Sequence, residues 1–433
     1  MAANPLTRNR RRLPMKKRVL FLTLIGTALV LFLEGVSAIG LWVSDGHISF
    51  PELHEQQELC STSPAHDSFD TEVLHPYLGW VLNPDVPGGV SLLSDQKYPI
   101  NEHGFLDTGG DIVKRSPGKF VVAILGGSVA WYFSIEGAET FREELAKSPQ
   151  FSDQEIIIVP LALSGFKQPQ QLFTLQYFLM LGFEFDAVIN LDGFNEVALH
   201  PAENALRNVS IVYPRTWYHR VHELATPENV ESVYRILSQR RSRQEWATRF
   251  VRMPYRYSTT LNWIWRLRDT AFGHTIQTEQ QVIMAKKVSG KIPFLQTGPR
   301  RDYATEQELF LALAELWKNC SLQLHGMCEA NDIAYYHLLQ PNQYFDGSKP
   351  MSAEERAIVI LPGHPYSKGV IQGYPFLKLA GTELLKQGVR FTDLTMLFKN
   401  TQEQAYRDNC CHCNELGSTL LARAVANAVM SKD

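Results

Sequence analysis

Two distant segments of the chain carry side chains that could act together as a nucleophile and its base. Ser128 follows two glycines at a turn of small residues, and His412 stands four residues after Asp408. A histidine within reach of a serine hydroxyl can take its proton, and a nearby carboxylate fixes the tautomer of the imidazole. These residue types predict acyl-transfer chemistry, provided that the fold brings the two segments together.

Two further segments carry groups that could stabilise an oxyanion. Gly165 follows an apolar run, and a glycine lets a backbone N–H approach a ligand closely. Asn195 follows the next apolar run, and its side-chain amide could donate to the same oxyanion. Free N–H groups at the helix start predicted after Ser128 favour nearby negative charge as well. Each segment by itself is equally typical of an ordinary turn or a helix cap.

Alternating strands and helices are predicted to position these residues. Continuous apolar runs typical of buried parallel strands cover residues 119–125, 155–163 and 186–191, with helical patterns between them. The alternation resumes with apolar runs at 292–296, 333–339 and 389–398, and a last helix covers about 416–430. This pattern predicts an α/β fold in which helices cover both faces of a mainly parallel sheet, a three-layer α/β/α sandwich. Such folds bind ligands beyond the carboxyl ends of their strands, where the four segments are expected to lie.

The order of the four segments resembles that of the SGNH/GDSL hydrolase family. A serine follows the first strand, a glycine the second and an asparagine the third, and an acid with a histidine precedes the final helix. The resemblance covers the chain from about residue 120 to the C-terminus, apart from an insertion at about 200–291. The segments 75–80, 101–105 and 340–344 also look like those of membrane-anchored bacterial members.

This resemblance implies a role for each matched residue and a flavodoxin-like sheet. Ser128 would be the nucleophile, and His412 would be the general base and then the acid. The backbones of Ser128 and Gly165 and the side chain of Asn195 would form the oxyanion hole. No cofactor is implied.

The chain departs from the family pattern at two positions. Gly127 stands where family members often have aspartate, which removes a hydrogen-bonding side chain but not the nucleophile. The family acid usually lies three residues before the histidine, and that residue here is Asn409. Either a one-residue bulge brings Asp408 to the imidazole, or the site is a weakened dyad without a carboxylate. We favour Asp408 as the acid.

The expected activity is that of a serine esterase acting on ester-bearing small molecules, lipids or polysaccharides. If a sugar hydroxyl replaces water as the acceptor, the protein is instead an O-acyltransferase for cell-envelope polysaccharide. A further alternative, which Asn409 favours, is a non-catalytic envelope module that keeps the hydrolase fold. Cys410, Cys411, His412 and Cys413 are metal-ligand types, but their adjacency lacks the spacing of structural zinc sites, so no metal is predicted.

The N-terminus predicts a retained membrane anchor. Seven basic residues between positions 8 and 18 precede a nearly uninterrupted apolar stretch at 19–43, and a bilayer needs about 20 apolar residues. The absence of a basic cluster after residue 43 places the N-terminus in the cytoplasm and the later chain outside, in the periplasm. The predicted divisions are a basic tail at 1–18, the anchor at 19–43, a stalk and entry segment at 44–116, and a hydrolase domain at 117–433. Glu34, the discordant residue in the anchor, is interpreted as snorkelling or protonated near its outer end.

Composition excludes some classes of partner. The formal net charge of −3 gives no electrostatic basis for nucleic-acid binding. Six cysteines fit an oxidising compartment, but Cys320 and Cys328 fall in one predicted helix about 12 Å apart and cannot bridge each other. The insertion at 200–291 combines tryptophans with a basic face, and we interpret it as amphipathic helices that pack their aromatic residues inward rather than as a lid or a surface that contacts membrane or polymer.

Overall fold

The computed structural model describes residues 14–62, 71–86, 89–90, 97–107, 112–222, 224, 229–252, 256–285 and 294–431. Most of the predicted basic tail lies outside these residues. The chain forms two compact units. One contains Met1–Phe69 and Glu223–Lys286, and the other contains Asp70–His222 and Lys287–Asp433. The larger unit therefore includes residues 200–222, which the sequence had grouped with the insertion.

Seven strands form two sheets among the described residues of the larger unit. They are β1 (Glu72–His75), β2 (Gly79–Leu82), β3 (Lys119–Gly126), β4 (Glu155–Pro160), β5 (Ala187–Asp192), β6 (Ala334–Leu339) and β7 (Arg390–Asp393). β1 and β2 pair antiparallel, and the other five form a parallel sheet in the order β4-β3-β5-β6-β7. All six residues of β5 are buried, as expected for the centre of a covered parallel sheet. The predicted α/β class with a parallel sheet is confirmed.

Fourteen α-helices alternate with these strands or form the smaller unit in the described part of the chain. They are α1 (Met15–Asp45), α2 (Phe50–Thr62), α3 (Ser128–Tyr132), α4 (Ala138–Ala146), α5 (Gln170–Met180), α6 (Phe194–Leu199), α7 (Trp217–Arg220), α8 (Val230–Val251), α9 (Thr259–Ala285), α10 (Phe294–Thr297), α11 (Glu306–Glu329), α12 (Ala353–Val359), α13 (Ser367–Lys386) and α14 (Glu415–Met430). α14 matches the helix expected at about 416–430 within one residue at each end, and α11 contains both Cys320 and Cys328, which were predicted to share one helix.

The strand expected at residues 292–296 is wrong where the structure describes it. Residues 294–296 belong to the short helix α10, and residues 292 and 293 lie outside the described residues. A short apolar run does not distinguish a strand from a helical turn, and Pro293 has no amide N–H for a strand ladder. β6 takes the next place in the sheet instead, beside β5.

The sheet brings three of the predicted site segments to one edge. β3, β4 and β5 run parallel, so the chain leaves all three at their carboxyl ends, toward Ser128, Gly165 and Asn195. A glycine is needed where β3 ends, because Gly126 has a φ of +144° and a Cβ there would lie 2.1 Å from the carbonyl oxygen of Leu191. The close approach of β3 to β5 therefore depends on Gly126.

The smaller unit contains α1, α2, α8 and α9, and α1 packs against α9. α1 is long and apolar enough to cross a membrane, so it could anchor the protein there. Its side chains are exposed from Met15 to Leu33, a length of about 28 Å at the rise of an α-helix, whereas Ser37 and Leu41 are buried. Leu41 lies in a hydrophobic cluster with Leu53 and the fully buried Trp265.

Glu34 has partners that its sequence context did not reveal. Its carboxylate accepts a hydrogen bond from the backbone N–H of Thr259 at 2.7 Å and further bonds from the hydroxyls of Ser258 and Thr259. These groups lie at the N-terminus of α9, where unpaired N–H groups favour an anion. The carboxyl group of Glu34 in α1 is thus hydrogen-bonded to residues at the start of the neighbouring helix α9 and does not extend toward water.

We predict that Gly40→Leu separates α1 from α9. A Cβ on Gly40 would lie 2.5 Å from Cε2 of Trp263, and overpacking of this kind costs about 1–3 kcal/mol. Trypsin cleavage within α8 and α9 should therefore be faster in this variant, measured on the full chain in detergent micelles. Gly26→Leu is the matched control, because no atom lies within 4 Å of its added Cβ. Equal cleavage rates in the two variants would contradict the prediction.

Candidate active site

Ser128 lies at the carboxyl edge of the sheet, as the first residue of α3 directly after the turn from β3. Gly127 precedes it in an extended conformation, and the serine side chain is buried except for a small exposed fraction of 7%. The backbone N–H groups of Ser128 and Gly165 donate to no acceptor in the described part of the chain. Two unpaired N–H donors therefore remain for a ligand at this edge.

His412 and Asp408 complete a continuous hydrogen-bonded chain with this serine. Nε2 of His412 lies 2.8 Å from Oγ of Ser128, and its Nδ1 lies 2.5 Å from Oδ2 of Asp408. The other carboxylate oxygen of Asp408 accepts the backbone N–H groups of Cys410 at 2.9 Å and His412 at 3.3 Å. These bonds fold the loop back onto the carboxylate of Asp408. The carboxylate therefore contacts the imidazole although Asp408 lies four residues before His412 in the sequence.

The electrostatic surroundings keep Asp408 ionised. Partial burial of its carboxyl opposes ionisation, but the hydrogen bond and charge of His412 and the two backbone N–H groups outweigh it, so its pKa lies below the ordinary value. An ionised carboxylate at Nδ1 fixes the tautomer in which Nε2 of His412 is free to accept the serine proton.

The segment at 340–344 holds the loop that carries Asp408. The hydroxyl of Tyr344 donates to the carbonyl of Asn409 at 2.8 Å, and Nε2 of Gln343 donates to the carbonyl of Asp408 at 3.0 Å. On the other side, the ring of Tyr132 meets the ring of His412 edge-on, with centroids 5.0 Å apart. Asn409 thus accepts a hydrogen bond through its backbone carbonyl, while Asp408 bonds the imidazole through its side chain.

Asn195 also lies at this edge, directly beside the turn that carries Ser128. Its Nδ2 donates to the carbonyl of Phe166 at 2.7 Å, which leaves the second amide hydrogen for another acceptor. A Cβ on Gly127 would lie 2.1 Å from Nδ2 of Asn195, so only glycine fits there without moving the amide. This contact gives a physical reason for a glycine at position 127.

Two groups of residues near the site were not identified from the sequence. Arg215 packs on Gly165, whose φ is +89°, and pairs with Glu203, which also accepts a 2.7 Å hydrogen bond from the hydroxyl of Tyr366. No local pattern in the sequence could have shown this contact, because Arg215 comes from a different loop.

The second missed feature is Glu196, which joins two of the site turns. Its carboxyl oxygens accept the N–H of Gly193 at 2.8 Å, the N–H of Gln168 at 3.1 Å and the side-chain amide of Gln171 at 3.1 Å. The available signal was its place as the third residue of α6, where a glutamate often reaches back to cap the helix. Its bond to Gln168 ties the segment after β4 to the turn after β5.

A second chain of serine, histidine and aspartate lies inside the larger unit. Oγ of Ser321 lies 2.7 Å from Nδ1 of His337, and Nε2 of His337 lies 2.9 Å from Oδ1 of Asp192. All three residues are buried, with exposed fractions of 0%, 0% and 1%. No substrate can reach this serine, so we interpret the set as a structural network beneath the site.

The cysteines of the loop before α14 lie beside the imidazole. Sγ of Cys410 and Sγ of Cys411 are 3.8 Å apart, and Cys410 is partly exposed. No disulfide joins any of the six cysteines in the described structure. Cys320 and Cys328 are both buried in α11, where the sequence had excluded a bridge between them.

We predict that Glu196 makes the protein less stable as pH rises. Burial and the nearby carboxylate of Asp192 raise the pKa of Glu196 from 4.5 to about 8. Between pH 4.5 and about pH 8 the folded state therefore retains a proton that the unfolded chain has lost. The free energy of unfolding falls as pH rises through this range. From about pH 5 to about pH 8, Glu196→Gln should lose less free energy of unfolding than the parent, as measured by urea titration. Parallel pH profiles for the two proteins would contradict the prediction.

Comparison with known proteins does not identify a family for this chain. No protein family model matches the chain, and no curated protein matches its sequence.

Proposed function

We propose that the chain is a serine hydrolase of the SGNH/GDSL type that acts through an acyl-enzyme on Ser128. The observation that carries the proposal is the hydrogen-bonded series Ser128–His412–Asp408, with both imidazole nitrogens engaged at 2.8 and 2.5 Å. The residues come from segments separated by 284 positions, so local chain geometry alone does not account for their meeting. An ordinary helix cap explains none of these contacts between side chains.

The arrangement of the sheet supports the same family. Numbered along the chain, the five parallel strands have the order 2-1-3-4-5, which is that of flavodoxin-like sheets. The helices pack in two groups, α4 with α14 and α11 with α5, α6 and α13. Helices on both faces of such a sheet would give the three-layer α/β/α sandwich.

The mechanism follows from the atoms at the edge of the sheet. Oγ of Ser128 attacks an ester carbonyl and passes its proton to Nε2 of His412, while Asp408 stabilises the imidazolium. The N–H groups of Ser128 and Gly165 and the second amide hydrogen of Asn195 donate to the oxyanion. His412 returns the proton to the leaving alkoxide, which departs as an alcohol. Water, deprotonated by His412, then attacks the acyl-enzyme and releases the acid and free Ser128.

The substrate class proposed is an ester of a small molecule, a lipid or a polysaccharide. When a sugar hydroxyl takes the place of water in the second step, a new ester forms and the reaction is O-acyl transfer. We further propose that α1 is a retained single-pass anchor with its N-terminus in the cytoplasm, on the strength of the basic residues that precede it. The hydrolase domain would then act in the periplasm on envelope esters.

The first test of the proposal compares two serines. Ser128→Ala should lower hydrolysis of p-nitrophenyl acetate by on the order of 10⁴-fold or more, because it removes the nucleophile. Ser321→Ala is the matched control, since Ser321 also bonds a histidine but is fully buried, and it should change the rate by less than about tenfold. Circular dichroism checks that both variants are folded. A serine-directed fluorophosphonate should label the parent and not Ser128→Ala; an unlabelled parent would instead support a non-catalytic module.

The second test compares the two candidate acids. Asp408→Asn should lower kcat by on the order of 10²–10⁴-fold, because an amide at Nδ1 cannot stabilise the imidazolium or hold its tautomer. Asn409→Ala should change kcat by less than about tenfold, because Asn409 supports the loop through its backbone carbonyl. The reverse ranking of the two variants would exclude Asp408 as the acid.

A further inference from the structure

Three metal-ligand side chains meet in the loop before α14. One ligand atom from each of Cys410, Cys411 and His412 lies within 4.8 Å of the other two. Cys410 is partly exposed, which provides a path for an ion, and Cys411 is buried behind it. The sequence predicted no metal here because the ligands are adjacent, but the folded loop brings the three ligand atoms within 4.8 Å of one another.

The distance between the two sulfurs fits a tetrahedral zinc ion. A Zn–S bond of about 2.3 Å and a tetrahedral angle at the metal place two thiolate sulfurs about 3.8 Å apart. Sγ of Cys410 and Sγ of Cys411 are also 3.8 Å apart. The two thiols therefore need little rearrangement to bind zinc, and a ring nitrogen of His412 lies within 4.8 Å of both sulfurs as the third ligand.

We propose that Cys410, Cys411 and His412 form a zinc-binding site that inhibits the enzyme. The inhibitory part rests on the proposed function of Ser128 and His412, whereas the binding site stands on the geometry of the loop alone. Each thiol loses its proton when it binds the ion, and a water molecule takes the fourth position. Thiolate and imidazole ligands select zinc and other soft metals over magnesium or calcium.

Zinc and proton transfer exclude each other because they need the same imidazole. Nδ1 of His412 bonds Asp408, and its Nε2 bonds Ser128. Coordination through Nε2 removes the acceptor of the serine proton, and coordination through Nδ1 removes the carboxylate that fixes the tautomer. Coordination through either nitrogen stops activation of Ser128. A protein with zinc in this site should therefore have an unreactive serine.

Cys413 provides an internal comparison within the same loop. It is a buried cysteine like Cys411, and it packs with Phe398 and Tyr406 in a separate hydrophobic cluster. It does not belong to the group of ligand atoms that converge beside the imidazole. Replacing Cys413 therefore removes a buried thiol from this loop without removing a proposed ligand.

Cobalt titration of the reduced full chain in detergent micelles tests the binding site. The parent should show the thiolate-to-cobalt charge-transfer absorption at one equivalent of Co²⁺, and Zn²⁺ should displace it. Cys410→Ala and Cys411→Ala should each weaken Zn²⁺ binding by at least about tenfold and lose the absorption. Cys413→Ala and Ser128→Ala should keep it. No charge-transfer absorption in the parent, or the same absorption in all four variants, would overturn the site.

Fluorophosphonate labelling of Ser128 tests the inhibition separately. Labelling of the parent should fall at least about tenfold at saturating Zn²⁺ and return when EDTA removes the ion. Labelling of Cys410→Ala should not respond to Zn²⁺ at the same concentration. Unchanged labelling of zinc-loaded parent would overturn the inhibition. A parent that shows the cobalt absorption but is never labelled would retain the metal site and refute the proposed hydrolase.

Discussion

Parallel pairing of β3 with β4 and β5 is the constraint on which the rest of the site depends. Strands that run in one direction deliver their carboxyl ends to one edge, so three turns that are distant in sequence begin next to one another. Gly126 allows β3 to end almost in contact with the carbonyl of Leu191, which brings the turn of Ser128 against β5. From there, short turns carry Gly165 and Asn195 to the same edge as the serine.

Buried polar contacts then hold these turns in place. Glu196 bonds backbone N–H groups from two of them, and Asp192 accepts bonds from Trp317 and His337 beneath the sheet edge. In a low-dielectric interior each such bond is strong and each unpaired group is costly, so a network of this kind favours one arrangement of the loops. Oxyanion stabilisation requires donors that are oriented before the substrate arrives, and in the proposed enzyme this network would supply that orientation.

The loop from Asp408 to His412 places the two proposed chemistries, proton transfer and zinc binding, on one imidazole. Its carboxylate accepts two N–H groups of its own loop as well as the imidazole, and Tyr344 fixes the loop from outside. The same tight turn places two sulfurs at a zinc-like separation beside the ring. The geometry that orients the proposed base is therefore also the geometry that lets a soft metal compete for it.

The sequence by itself determined the α/β class, the apolar N-terminal helix and the segments that meet at the sheet edge, because strand and helix periodicity and small-residue turns are local properties. It misassigned residues 294–296, since a short apolar run fits either a strand or a helical turn. Only the tertiary structure decided that Asp408 contacts His412 and that Glu34 meets Thr259, 225 residues away. Those contacts depend on the path of the backbone through three dimensions, which cannot be read from local residue type and spacing.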